Sequence, residues 1–265
     1  PTPAATTAIH RFSTAGDGPA TYEVSGNVRG RLLDQFAMSE ASEPEDLLRV
    51  ATTDDATQES YVTTLSDDGD ALTELGQVGG LGEGEQIYSV RFIGDMGYVV
   101  TFRQTDPLYT VDLSDPADPQ VVGELELLGY SAYLHPLGGD LLLGIGQDAT
   151  ATDQTTGTQL SLFDVSDPAN PERLQQVSIP GASSAAEYDH HAFLYWPETG
   201  LAVLPVQSYG GGCVGPTDAI VPCPGEEFTT GPFNGAIGFH VATDGIDEVG
   251  RVTHDDGSVL TRSVV

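Results

Sequence analysis

The eight residues DLSDPADP at 112–119 return as DVSDPANP at 164–171, 52 positions later. Each copy follows an apolar run, LYTV at 108–111 or LSLF at 160–163. Each leads into a second β-rich run, QVVGEL at 120–125 or RLQQV at 173–177. A strand, a tight turn and a strand thus recur at a spacing of about 40 to 50 residues, the period of propeller blades. The turn has a mechanical logic. Proline fixes φ, the aspartate before it caps free backbone N–H groups, and the second proline stands where the outer strand begins and a missing donor does little harm. The repeat therefore predicts architecture and carries no weight as an active site.

A blade is a four-stranded antiparallel meander running from an inner to an outer strand. Segments 88–93, 97–102, 108–112 and 121–127 read as one blade, with the turn at 94–97. Segments 131–135, 140–144, 160–164 and 174–179 read as the next. A third comprises 190–195, 201–207, 236–241 and 248–252, with a Gly/Pro-rich insertion at 208–235. An earlier, weaker unit is 31–37, 47–52, 61–65 and 72–78. Segments 8–12 and 21–27 read as the outer strands of a preceding blade, and 259–265 as the first strand of a following one. The expectation is an all-β chain: a single propeller domain or propeller fragment over 1–265, with about four full blades and partial blades at both ends. The remainder of a larger precursor, or a second chain, would complete it. The alternative is a five-bladed ring joining the two end pieces.

Net charge is −31, lysine is absent and all 9 basic residues are arginine. Repulsion argues against nucleic acid or an anionic membrane as partner. The carboxylates are scattered, which suits a solvated shell in a salty or acidic habitat better than calcium loops. No apolar run reaches the roughly 18 residues of a membrane-spanning helix. Cys213 and Cys223 flank a Gly/Pro-rich loop without a zinc or Cys-x-x-Cys pattern, so a local disulfide is expected. Such a bond implies an oxidising compartment, and hence an extracellular or cell-envelope location.

Longer stretches carry a family resemblance: LLDQFAMS at 32–39, YSVRFIG at 88–94, YVVTFR at 98–103, DPLYTVD at 106–112, YLHPLG at 133–138, LLGIGQD at 142–148, YDHHAFL at 188–194 and RVTH at 251–254. With these the chain resembles, over about 28–265, the secreted bacterial and archaeal proteins with a C-terminal β-propeller distantly related to WD40 repeats. The resemblance implies a secreted or surface-anchored propeller, part of a longer protein, and no established reaction. The cysteine loop and the run 148–158 depart from the family pattern.

Inner strands line a propeller's channel. On the strand assignment above they carry Arg91, Tyr133, His135, Asp189 and His190, with Gln35 and Arg262 as further members. Such groups either converge on a ligand at the channel mouth or form a satisfied packing network. Asp189, His190 and His191 are the candidates for a metal or for acid–base work. Alternation along a strand would send His190 and His191 to opposite faces, so a metal would need donors from elsewhere, such as His135 or His254. DDGD at 67–70 reads as an acidic hairpin turn, and GGLGEG at 79–84 lacks the lysine of a phosphate loop. No Gly-x-Ser-x-Gly elbow occurs.

The sequence thus points to a secreted or cell-surface propeller acting as a non-enzymatic binding or scaffold module for a protein or a surface polymer. The alternative is an extracellular hydrolase or lyase at the channel. Asp189 or His190 would be its base, Arg91 would hold an anionic group, and calcium or another divalent ion would be the cofactor.

Overall fold

A computed structural model of the chain describes residues 5–14, 18–41, 47–102, 106–150, 154–208, 213–214, 220–221, 232–254, 258 and 260–263. These residues form strands, turns and three short 3-10 helices. The strands fall into antiparallel meanders, as an all-β propeller requires. Two compact units result, residues 1–127 with 168–170 and residues 128–167 with 171–265.

The first unit opens with a hairpin, β1 (Thr6–Ser13) and β2 (Thr21–Arg29), followed by two blades. In the first blade β5 (Leu47–Asp54), β6 (Glu59–Asp67) and β7 (Leu72–Leu81) form three full strands, and the inner strand comes in two pieces, β3 (Arg31–Leu32) and β4 (Met38–Glu40). Both pieces pair with β5. The second blade is β8 (Gln86–Ile93), β9 (Met96–Phe102), β10 (Asp106–Asp112) and β11 (Gln120–Leu127). Ala51, Val62, Val90, Val99 and Val111 close the space between the two blades, and Ile9, Val24, Val50 and Leu65 pack the hairpin against the first. Each of the valine, leucine and isoleucine side chains contributes about 1.5–3 kcal/mol on burial.

The second unit begins with a blade of β12 (Tyr130–Gly138), β13 (Leu141–Ala149), β14 (Thr155–Asp164) and β15 (Glu172–Pro180). The next blade again has a broken inner strand, β16 (Ala182–Ser183) and β17 (Leu194–Trp196), both paired with β18 (Leu201–Ser208). A two-rung ladder of β19 (Cys213–Val214) and β20 (Ile220–Val221) follows, then β21 (Phe233–Ala242) and β22 (Gly245–Thr253). Leu143, Ile145, Leu160, Leu204, Ile237 and Phe239 are among the fully buried residues between these two blades.

The repeated Ser-Asp-Pro turn has one job within its blade and another outside it. Inside, Leu113 and Val165 donate their N–H to the carbonyls of Asp95 and Asp140, each at 2.8 Å. Asp112 and Asp164 accept the N–H of Ser114 and Ser166, each at 2.9 Å, and Asp115 caps Ala117 at 3.0 Å. Outside, the proline carbonyl of each copy is a key. The Thr64 hydroxyl donates to Pro116 O while accepting the N–H of Gly76 at 3.1 Å. The Thr110 hydroxyl donates likewise to Pro168 O, in the 168–170 segment that compacts with the first unit. Each threonine pairs across its ladder with a glycine, Gly76 or Gly123. A Cβ on Gly76 would lie 2.7 Å from Pro116 O, and one on Gly123 2.2 Å from Pro168 O. Glycine is required there because a neighbouring backbone fills the space.

In the third blade Leu162 and Gln175 stand opposite each other at the corresponding rung. The joint changes accordingly. Gln175 donates through its amide N–H to Ile246 O and accepts Ile246 N–H through its amide oxygen, both at 2.9 Å.

Two expectations are corrected. The inner segments 31–37 and 190–195 are not continuous strands. Gln35–Ala37 and His190–Ala192 are 3-10 turns, because Asp34 and Asp189 cap them with side-chain oxygens and out-compete strand pairing. Residues 260–263, the described part of the proposed terminal strand, carry no strand. The Cys213–Cys223 disulfide, and most of the 208–235 insertion, lie outside the described residues. No helix among the described residues is long and apolar enough to cross a membrane.

Candidate functional site

The break in the inner strand of the last blade organises the polar groups of the second unit. Between β16 and β17 the chain makes two 3-10 turns, Ala185–Glu187 and His190–Ala192. The first is a capping box. Ser184 Oγ accepts Ala186 N–H at 3.2 Å and donates to Pro205 O at 2.6 Å, while Glu187 accepts Ser184 N–H at 2.9 Å. Glu187 also receives Gln147 Nε2 at 2.6 Å and Thr158 Oγ1 at 2.7 Å, which ties the turn to β13 and β14. Burial raises its carboxyl above the ordinary range, more than these hydrogen bonds lower it. The pattern Ser-x-x-Glu was visible in the sequence, yet Glu187 was not among the expected site residues.

Held on this base, the second turn presents Asp189, His190 and His191. Asp189 Oδ1 accepts the backbone N–H of His191 at 3.0 Å and lies 3.0 Å from His191 Nδ1. Its other oxygen is 3.4 Å from an Arg262 guanidinium nitrogen. The His191 backbone first, then its ring and Arg262, hold the Asp189 carboxyl below the usual carboxylate range. The His190 and His191 ring centroids are 3.8 Å apart. One donor atom from each of Asp189, His190 and His191 lies within 4.8 Å of the others. A 3-10 turn thus puts side by side two histidines that strand alternation would have separated, so the opposite-face expectation is overturned.

Tyr133 and His135 on β12 share a face, as strand periodicity requires, and Tyr133 Oη lies 3.1 Å from His135 Nδ1. The Tyr133 ring stacks on His190 with centroids 6.3 Å apart, and Phe193 stands 5.8 Å from Tyr133 and 5.1 Å from His135. Tyr195 completes the group, 5.3 Å from His135. Of these rings only Phe193 is buried, while Tyr188 nearby in sequence is 84% exposed. Four of the expected residues, Tyr133, His135, Asp189 and His190, therefore form one half-exposed cluster, and Arg262 closes on its rim. Tyr195 is the member that sequence reasoning passed over, and His191 was expected there only as part of a metal or acid–base set.

The remaining candidates belong to other elements. In the first unit the Arg91 guanidinium sits 3.9 Å from the Phe36 ring centroid, and Gln35 opens the 3-10 turn beside it. His254 follows β22 and is exposed. The acidic loop 67–70 is a turn: Asp67 and Asp68 accept the N–H groups of Gly69, Asp70 and Ala71 at 2.8–3.0 Å. The first unit also has an open groove of about 280 Å³ between β1, β4 and β5, floored by Ile9, Leu48 and Leu72. Arg11 on its wall is engaged by Asp67 at 3.0 Å and Glu23 at 3.3 Å.

Comparison with known proteins places this geometry in a family context. The family model for the beta propeller domain matches residues 1–264. An uncharacterized protein of Methanocaldococcus jannaschii is 41% identical over 197 residues, covering 71% of this chain and 30% of the relative. An uncharacterized protein of Archaeoglobus fulgidus is 39% identical over 188 residues, covering 71% of this chain and 28% of the relative. The chain thus spans less than a third of the curated relatives it matches. Solved structures similar to it include Sqt1 of Saccharomyces cerevisiae, at 11% identity and a TM-score of 0.46, covering 82% of this chain and 48% of that one. Sqt1 of Chaetomium thermophilum matches at 10% identity and a TM-score of 0.49, covering 85% and 51%.

Proposed function

Because the chain belongs to the beta propeller domain family, we propose that it serves as a non-enzymatic binding or scaffold module. The observation that carries this reading is the cluster of Tyr133, His135, His190 and Tyr195, with the exposed Tyr188 nearby in sequence. Partly exposed aromatic and imidazole rings on a braced turn offer large contact area at low entropic cost, the composition of protein-binding hot spots. The ligand in this reading is a protein, with a surface polymer as the second choice, and the setting is extracellular or on the cell envelope. The acidic surface disfavours nucleic acid. Among the described residues β1 pairs only with β2, so the same reading has further strands, from the rest of a longer precursor or a second chain, completing that sheet.

The hydrolase or lyase alternative draws less from the same geometry. A carboxyl held below its ordinary range, as Asp189 is, makes a weak general base, and Arg91 is already stacked on Phe36. A photo-crosslinking amino acid at position 188, used in the native envelope, tests the binding role. A discrete adduct that disappears when Tyr133→Ala and Tyr195→Ala are added supports it. An adduct pattern unchanged by those substitutions, or none at all, refutes the assignment of this face.

A further inference from the structure

We propose that Asp189, His190 and His191 form a site for a nitrogen-preferring divalent transition-metal ion such as Zn²⁺ or Cu²⁺. The inference stands apart from the partner-binding reading, since an ion can occupy the turn whether or not a macromolecule docks there.

The donor set is one carboxylate oxygen and two imidazole nitrogens, all within 4.8 Å of one another. Tetrahedral coordination with bonds of about 2.1 Å sets donors about 3.4 Å apart. Asp189 Oδ1 and His191 Nδ1 are already 3.0 Å apart. An ion would replace that hydrogen bond, with the His191 ring in the neutral tautomer that carries its hydrogen on Nε2 and offers Nδ1 as the ligand. The His190 ring lies against that of His191 with centroids 3.8 Å apart, which keeps its donor within 4.8 Å of the other two.

Three features favour occupancy. The turn is braced from below by Glu187 and Ser184, so the donors are presented on a fixed backbone. The cluster is half-exposed, so an ion can enter and keep at least one open coordination position. The net charge of −31 concentrates cations near the surface. Two imidazoles with one carboxylate select zinc, copper or nickel over calcium and magnesium, which prefer all-oxygen sites. The opposing feature is Arg262, whose guanidinium lies 3.4 Å from the same carboxylate and competes with the ion.

That competition supplies the discriminating test. The thiol-alkylated protein is titrated calorimetrically with ZnCl₂ and with CuSO₄. One ion per chain should bind, at least about tenfold more weakly in Asp189→Asn, His190→Ala and His191→Ala. Arg262→Gln should tighten it, and His240→Ala should leave it unchanged. Electron paramagnetic resonance of the Cu²⁺-loaded parent should show two coordinating nitrogens, a readout that needs no variant to fold. Binding with parental affinity in both histidine variants, no stoichiometric ion in the parent, or a copper signal without imidazole nitrogen would overturn the proposal.

Discussion

Gly123 shows how a single hydrogen atom in place of a methyl group can be a structural requirement. A Cβ there would meet Pro168 O at 2.2 Å and Thr110 Oγ1 at 2.7 Å. The obstacle is partly backbone, so it cannot rotate away. Gly123→Ala should destabilise by about 1–3 kcal/mol in chemical denaturation, the usual cost of overpacking. Gly250→Ala, where a Cβ meets nothing within 4 Å, should leave the midpoint nearly unchanged. A second prediction rests on charge. Burial raises the Glu187 carboxyl above its ordinary 4.5, so the folded chain holds that proton more tightly than the unfolded one. Its contribution is then fully present below the unfolded value and lost as pH rises through the folded one. Unfolding free energy measured from pH 4 upward should therefore fall less steeply in Glu187→Gln than in the parent.

At the level of strands and turns, the joints between blades carry the load. Gln175→Ala would strip partners from both backbone groups of Ile246, and should cost about 1–3 kcal/mol if they stay buried. Thr110→Val keeps the shape but leaves Pro168 O without its hydroxyl donor, and should destabilise by a similar amount; both are read from thermal midpoints. Much of this architecture was legible beforehand. The outer three strands of every blade were placed to within about five residues, by apolar runs throughout and by the Ser-Asp-Pro turns in the second and third blades. Tyr133 and His135 were legible as neighbours because β12 is an uninterrupted strand. The broken inner strands were not. LLDQF and YDHHAF carry the residue types of a strand, and only the capping preference of Asp34 and Asp189 tips them into 3-10 turns. The pairing of His190 with His191 was lost with that distinction. The threonine–glycine–proline joint was out of reach for another reason: its parts sit 52 and 58 residues apart, and nothing local couples them.

For the molecule as a whole, the net charge of −31 sets the terms of stability. Carboxylates scattered over a folded surface repel one another more than in an expanded chain. Added salt shortens the screening length from about 30 Å at 0.01 M to about 3 Å at 1 M. The thermal midpoint should therefore climb steadily with NaCl over that range; a flat response would mean that the carboxylates are already neutralised in place. The divided inner strand of the last blade has a different reach. β16 and β17 each hold β18 through their own rungs, so the register of one piece does not depend on the other. Length changes confined to 188–191, outside the Ser184–Glu187 box and the buried Ala186, Ala192 and Phe193, leave the rungs of both ladders in place. A lineage can thus rewrite the tip that bears Asp189, His190 and His191, trading one appetite for another, while the blade beneath inherits no error.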